Sequence, residues 1–206
     1  MEDLVRAWRA LLAPLTASPD VDAAGQVLLE CWAEPHRHYH DLAHLRGVLS
    51  AIDDLEHLAE DPAAVRLAAW YHDAVYAGRA DDEELSAVMA EKALSALGLP
   101  AAFVAEVARL IRMTVEHNPV AGDSNGAVLS DADLAVLALP RADYQRNSAA
   151  VRAEYAHVPE ADFRAGRARV IRALLAEPHL YRTATARERW ERAARENLAA
   201  ELETLS

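Results

Sequence analysis

The sequence predicts an all-α fold, a helical bundle in one domain across residues 1–206 with additional helices at the N- and C-terminal ends. Three observations predict it. Helix formers, above all alanine and leucine, dominate an apolar fraction of 52%; only 7 glycines occur; and apolar residues recur at helical spacing, with hardly any β-branched run bounded by turn residues. A chain of 206 residues is ample for a buried core.

The elements follow in order. Residues 2–15 carry Leu4, Val5, Trp8, Leu11 and Leu12 on one face and stop near Pro14. Residues 20–32 form a second apolar-faced segment, closed by Glu34-Pro35. PHRHYHDLAHLRGVL follows, with four histidines within nine residues. From Tyr39 to about Glu60 the pattern predicts a helix burying Leu42, Leu45, Val48, Leu49, Ile52 and Leu55, with His40 and His44 four apart on one face. The next helix runs from Pro62, behind Asp61, toward Gly78, and carries AAWYHDAVY within it. After an acidic loop, Asp81 and Glu84 have the spacing of a capping box for a helix to Leu97, punctuated by Gly98 and Pro100. Pro100 opens a helix that ends near His117-Asn118-Pro119, and AGDSNG is a loop by composition. AVLSDADLAVLAL is a short apolar segment closed by Pro140. Three more helices, over 142–157, 159–175 and 185–205, complete the chain, the last opened by a Thr185/Glu188 capping box. The total is nine or ten helices, with no internal repeat.

A formal charge of −12 excludes a broad basic surface for a nucleic-acid polymer, and a small anionic substrate needs a local cation to offset that field. Cys31 is the single cysteine, which rules out an intramolecular disulfide and fits a reducing compartment. There is neither a basic-then-apolar leader nor a run of about eighteen apolar residues, so the expectation is a cytoplasmic protein without a membrane partner. Whether the terminal amphipathic helices cover the core or a second subunit in a homodimer stays open.

The chemistry centres on His72 and Asp73. An imidazole and a carboxylate inside so apolar a run are expensive to bury unless they pair with each other or with a cation. Taken singly, His44, the His72-Asp73 doublet and Asp133 each read as structural residues. Together they form an ordered set of nitrogen and oxygen donors: a histidine, His-Asp twenty-eight residues on, and Ala-Asp-Leu some sixty beyond.

That set resembles the HD superfamily of metal-dependent phosphohydrolases, whose mark is an early His, a His-Asp doublet on a buried helix and a distant Asp in an Ala-Asp context. YHDLAHL, AAWYHDAVY and SDADLAVL resemble a small bacterial branch of it, as do VRAEYAHV, FRAGRARVI and ERAARENLAAEL. The resemblance implies an HD-type domain with a metal-binding core over about 36–140 and a C-terminal helical elaboration over 141–206. It implies one divalent ion held by His44, His72, Asp73 and Asp133, with Asp131 as the rival for the last place. Two imidazoles and two carboxylates suit Mn²⁺, Fe²⁺, Co²⁺, Ni²⁺ or Mg²⁺, with positions left for water or substrate. It also implies a hydrolase that attacks a small phosphate ester or anhydride, nucleotide-like by family habit, through a metal-activated water.

Where two-metal relatives place extra histidines, this chain has Asp82, Glu83 and Glu84 before Ser86-Ala87, which favours one metal. Besides Asp73 itself, Glu83, Glu84 and His117 are the candidate catalytic groups. Arg37, Tyr39 and His40 are the candidate substrate contacts, with Arg152 and Arg167 behind them. Two alternatives stand beside the hydrolase: a non-catalytic metal-containing sensor or scaffold, and a di-iron HD-type oxygenase, against which the acidic loop argues.

Overall fold

PAAVRLAAWY is apolar on nearly every side, and a helix without a polar face belongs in the interior. In the structure, a computed structural model that describes residues 1–205, it does so: Ala64, Val65 and every residue from Leu67 to Tyr71 are buried. Around this helix the described residues form ten α-helices, two 3-10 segments and no strand. In chain order they are α1 (Glu2–Leu12), α2 (Val21–Trp32), α3 (Leu42–Leu55), α4 (Pro62–Tyr71), α5 (Asp82–Ala96), α6 (Ala101–Met113), α7 (Ser124–Leu134), α8 (Arg141–Glu154), α9 (Glu160–Ala176) and α10 (Ala184–Leu205). The 3-10 segments are Glu56–Leu58 and Ala135–Ala138. None of the described helices is long and apolar enough to cross a membrane.

Helix α4 is flanked by α3, α5, α6 and α7, while α1 pairs with α2 and α10 lies along α9 and the second 3-10 segment. One buried apolar cluster runs through all of these, from Leu4 and Trp8 through Trp32 and Trp70 to Tyr181 and Leu198. Most of the larger polar side chains in and beside it are satisfied, the buried Tyr71 hydroxyl being an exception among the described residues. Trp32 Nε1 donates to the Trp70 carbonyl at 3.0 Å, the Tyr181 hydroxyl to the Leu134 carbonyl at 3.0 Å, and Asn197 Nδ2 to the carbonyls of Leu137 and Leu139 at 2.9 Å each.

Several expected boundaries move. Helix α4 stops at Tyr71, so His72 is its C-cap and Asp73 lies in the following turn, rather than both standing on a helix that runs to Gly78. Helix α3 begins at Leu42, because the Asp41 carboxylate accepts from the N–H groups of Ala43 and His44; His40 is therefore outside the helix. It also ends early, at Leu55, passing into 3-10 geometry before Asp61 caps α4. Helix α6 ends at Met113, short of His117, and α7 starts inside the expected AGDSNG loop, where Asp123 accepts from the Gly126 N–H.

Neither expected capping box forms. Asp81 makes no side-chain cap and pairs with Arg79, while the Asp82 carboxylate accepts from the N–H groups of Ala77 and Arg79. At α10 the cap is Thr183, whose Oγ1 accepts from the Ala186 N–H, so Thr185 already lies inside the helix.

Two glycines contrast. A Cβ on Gly25 would overlap the Trp8 indole, so the close approach of α1 and α2 requires glycine there. Gly47 sits in the middle of α3, exposed, and a Cβ there would meet nothing within 4 Å. Mid-helix glycine costs about 0.5–1 kcal/mol relative to alanine. Urea denaturation is expected to show Gly47→Ala more stable by about that amount, and Gly25→Ala less stable by about 1–3 kcal/mol from overpacking.

Candidate metal centre

The site lies where the end of α4, the start of α3 and the end of α7 meet. Helix α3 brings His44 from its first turn, α7 brings Asp133 from its last turn, and the α4 C-cap and the turn behind it supply His72 and Asp73. His44 Nε2 lies 3.0 Å from Asp133 Oδ1, 3.4 Å from His72 Nε2 and 3.7 Å from Asp73 Oδ2. His72 Nε2 lies 3.0 Å from Asp73 Oδ2 and 3.4 Å from Asp133 Oδ1. His44, His72 and Asp133 form a group able to hold a metal ion, with ligand atoms within 4.8 Å of one another, and Asp73 adjoins it.

The backbone fixes which atoms face inward. His72 Nδ1 stands 2.9 Å from the Ala69 carbonyl, an oxygen that can only accept, so this nitrogen carries the proton. A neutral His72 then turns a bare Nε2 lone pair toward His44 and the two carboxylates. Lone pairs converging in a buried space ask for a cation or a proton at their centre. Burial opposes the charged form of His72, yet Asp73 and Asp133 outweigh it and hold the imidazole pKa well above its usual value. Burial likewise works against both carboxylates, and His72 overcomes it, joined by His40 at Asp73 and by His44 at Asp133; both aspartates stay below the usual carboxylate range.

Arg37 holds the doublet's turn. Its Nη1 donates to the Asp73 carbonyl at 2.7 Å and the His40 carbonyl at 3.1 Å, and its Nη2 to the Ala74 carbonyl at 3.0 Å. Nε donates to Glu34 at 3.0 Å, and the guanidinium carbon lies 5.6 Å from the ring centres of both Trp32 and Tyr76. The side chain is wholly enclosed. Arg37 is therefore not open to a substrate phosphate, contrary to the sequence expectation; its donors are taken by the carbonyls behind the site. Arg152 and Arg167 are engaged as well, the first with Glu160 and the Tyr155 and Val158 carbonyls, the second with Glu201. Ser86 completes the same turn, its hydroxyl accepting from the Val75 N–H at 3.0 Å.

The other candidates separate. His117 Nε2 reaches to 3.3 Å from Asp133 Oδ2, and its Nδ1 is buried with no hydrogen-bond partner among the described residues. Burial pushes its pKa below the usual imidazole value. Its backbone is left-handed at φ 49°, held by Arg182, whose Nη2 donates to the His117 carbonyl at 3.0 Å. Glu84 is drawn to Arg112 at 2.6 Å, and Glu83 stands half-buried in the first turn of α5. Asp131 turns away from the cluster and accepts from the N–H groups of Arg182 at 2.6 Å and Thr183 at 2.8 Å, at the head of α10.

Tyr39 is half-buried with its ring 5.0 Å from that of His44, and His40 stacks on Tyr76 at 4.1 Å. What holds them is Glu154, whose importance the sequence did not single out. Glu154 Oε1 accepts from the N–H groups of His38, Tyr39 and His40 at 2.7–2.9 Å, while Oε2 lies 2.8 Å from His40 Nδ1. Its one sequence signal was its place in VRAEYAHV. No family model, curated protein or solved structure matches this chain.

Two outcomes follow from these anchors. Arg37→Met strands three carbonyls and is expected to lower stability by about 3 kcal/mol in urea melts, with Arg37→Lys recovering only part because an ammonium cannot span them. Burial works against the Glu154 charge, but His40 and the backbone N–H donors prevail and pull its pKa from 4.5 down to about 2. A depressed carboxylate stabilises the fold above its unfolded pKa and loses that contribution as pH falls through the folded one. Thermal melts of Glu154→Gln are therefore expected to fall below the parent near pH 7 by the equivalent of about 1.5–3 kcal/mol. The gap should close as pH drops from 4.5 toward about 2.

Proposed function

We propose that His44, His72, Asp73 and Asp133 hold one divalent cation and that the protein is a metal-dependent phosphohydrolase of the HD type, acting on a small phosphate ester or anhydride. The observation that carries the reading is the convergence of two imidazole nitrogens and two carboxylate oxygens, 3.0–3.7 Å apart, with the His72 proton committed outward to Ala69. The likeness of YHDLAHL, AAWYHDAVY and SDADLAVL to that superfamily supports it from a second direction.

A mixed N/O set without thiolate suits Mn²⁺, Fe²⁺, Co²⁺, Ni²⁺ or Mg²⁺ better than structural zinc. Bound there, such an ion supplies Lewis acidity toward a phosphoryl oxygen and makes a water molecule acidic. The chain's own residues do the positioning. Arg37 and Ser86 fix the turn that presents Asp73, Ala69 fixes the His72 ring, and His117 stands beside Asp133, where it would be a candidate proton carrier. In the reaction, water oxygen forms a bond to phosphorus, the bond from phosphorus to the leaving oxygen breaks, and the proton lost by water ends on that oxygen.

Titration of the purified protein with Mn²⁺, followed by calorimetry, should give one site per chain. Saturation at about 100 times the Kd should add about 2.7 kcal/mol of stability. His72→Ala and Asp133→Ala should abolish the stabilisation and cut phosphoester turnover by more than the roughly 100-fold typical of outer-shell changes. A metal-loaded, folded protein inert toward a panel of phosphomonoesters, diesters and nucleoside polyphosphates overturns the hydrolase reading in favour of a sensor. Iron-dependent oxygen uptake would turn it toward an oxygenase.

A further inference from the structure

His44 and Asp133 line one end of a groove of about 540 Å³, a size that suits a small-molecule ligand. On one side the groove is floored by α3 through Gly47, Ser50 and Ala51, and on the other it is walled by Val136 and Leu139. Trp190 and the Tyr39 ring add flat apolar surface. Gly47 is the residue that needs explaining. It stands three positions beyond His44 on the exposed face of α3 with Ala43 and Ser50, where glycine weakens the helix, and neither a positive φ nor a close neighbour requires it. The space above it is left unfilled by the protein, alongside the candidate metal centre.

The charges in the groove restrict what enters. Among its lining residues Arg146 is the sole arginine, and it is ion-paired with Asp143. Asp54, the other carboxylate away from the metal-centre end, pairs with Arg189 at 2.9 Å. No lining guanidinium is left over for a second or third phosphate, and the net charge of −12 adds to the repulsion.

We infer that this groove receives the leaving group of the substrate, that Gly47 keeps it open, and that the group is flat and uncharged, making the substrate a phosphomonoester rather than a di- or triphosphate. The inference rests on the metal-dependent hydrolase reading and deepens it.

The test uses the Mn²⁺-loaded protein and non-hydrolysable phosphonates, with binding measured by calorimetry. The parent protein should bind naphthylmethylphosphonate at least tenfold more tightly than methylphosphonate, and more tightly than tripolyphosphate. In Gly47→Leu, whose side chain enters the groove, and in Trp190→Leu, the naphthyl-to-methyl preference should fall at least tenfold, with helicity by circular dichroism reporting that the fold is kept. A preference unchanged in folded Gly47→Leu, or tighter binding of tripolyphosphate, overturns the inference while leaving the hydrolase reading intact. A Mn²⁺-loaded parent that binds no phosphonate and hydrolyses no phosphoester brings down both.

Discussion

The structure depends on a guanidinium buried beneath a turn. Arg37 joins the segment between α2 and α3 to the first residues beyond α4, donating to the carbonyls of His40, Asp73 and Ala74. A helix that ends inside a protein leaves carbonyls without intrahelical partners, and they must find donors there. At the end of α4 the Trp32 indole and the His72 ring meet the carbonyls of Trp70 and Ala69, and Arg37 serves the turn beyond, where its planar fork addresses several oxygens at once between Trp32 and Tyr76. Because α4 can end abruptly at Tyr71, Asp73 leaves the helical path and comes within 3.0 Å of the His72 ring on the same side as His44. On a continuous helix, adjacent side chains diverge by about 100°. The broken helix end is what lets two neighbouring residues serve one centre.

Acidic residues do two kinds of work around that centre. Asp131 and Asp133, two apart near the end of α7, point to different tasks: the first accepts from the backbone at the head of α10, the second faces the histidines. Glu154 resembles Asp131 in its role, its carboxylate gathering three successive N–H groups of the histidine-rich segment. In both cases a buried anion is tolerated because backbone donors surround it, the arrangement that makes charge-assisted hydrogen bonds strong. These anchors fasten the C-terminal helices to the segments flanking the cluster, and the apolar cluster that contains Trp8 also contains Leu198.

How far the sequence could be read depended on distance along the chain. Helical periodicity is local, so the ten helices and their apolar faces were legible, and His44, His72, Asp73 and Asp133 stood out because each is polar within an apolar setting. The end of α4 was not legible, since no glycine or proline lies between Tyr71 and Gly78 and the turn beyond it is held by an arginine more than thirty residues earlier. The sequence suggests Arg37 as a ligand contact, and its actual targets are main-chain oxygens, which leave no trace in residue identity. Glu154 and the segment it holds are 114–116 positions apart, and nothing in either stretch names the other. The capping signals failed for a related reason: Asp81 and Thr185 had the right spacing, but Asp82 and Thr183 had the better-placed backbone to satisfy.

The grip of Arg182 on the His117 carbonyl ties the approach to α10 to the rim of the candidate site. Left-handed geometry at a histidine is unfavourable by itself and persists only where the surroundings enforce it. Here the enforcing side chain lies sixty-five residues downstream, just ahead of α10. His117 is thus positioned by a different part of the chain from the helix ends that carry His44, His72, Asp73 and Asp133. A change at the entry to α10 would therefore be felt at the rim through His117, without touching the segments that carry the four donors.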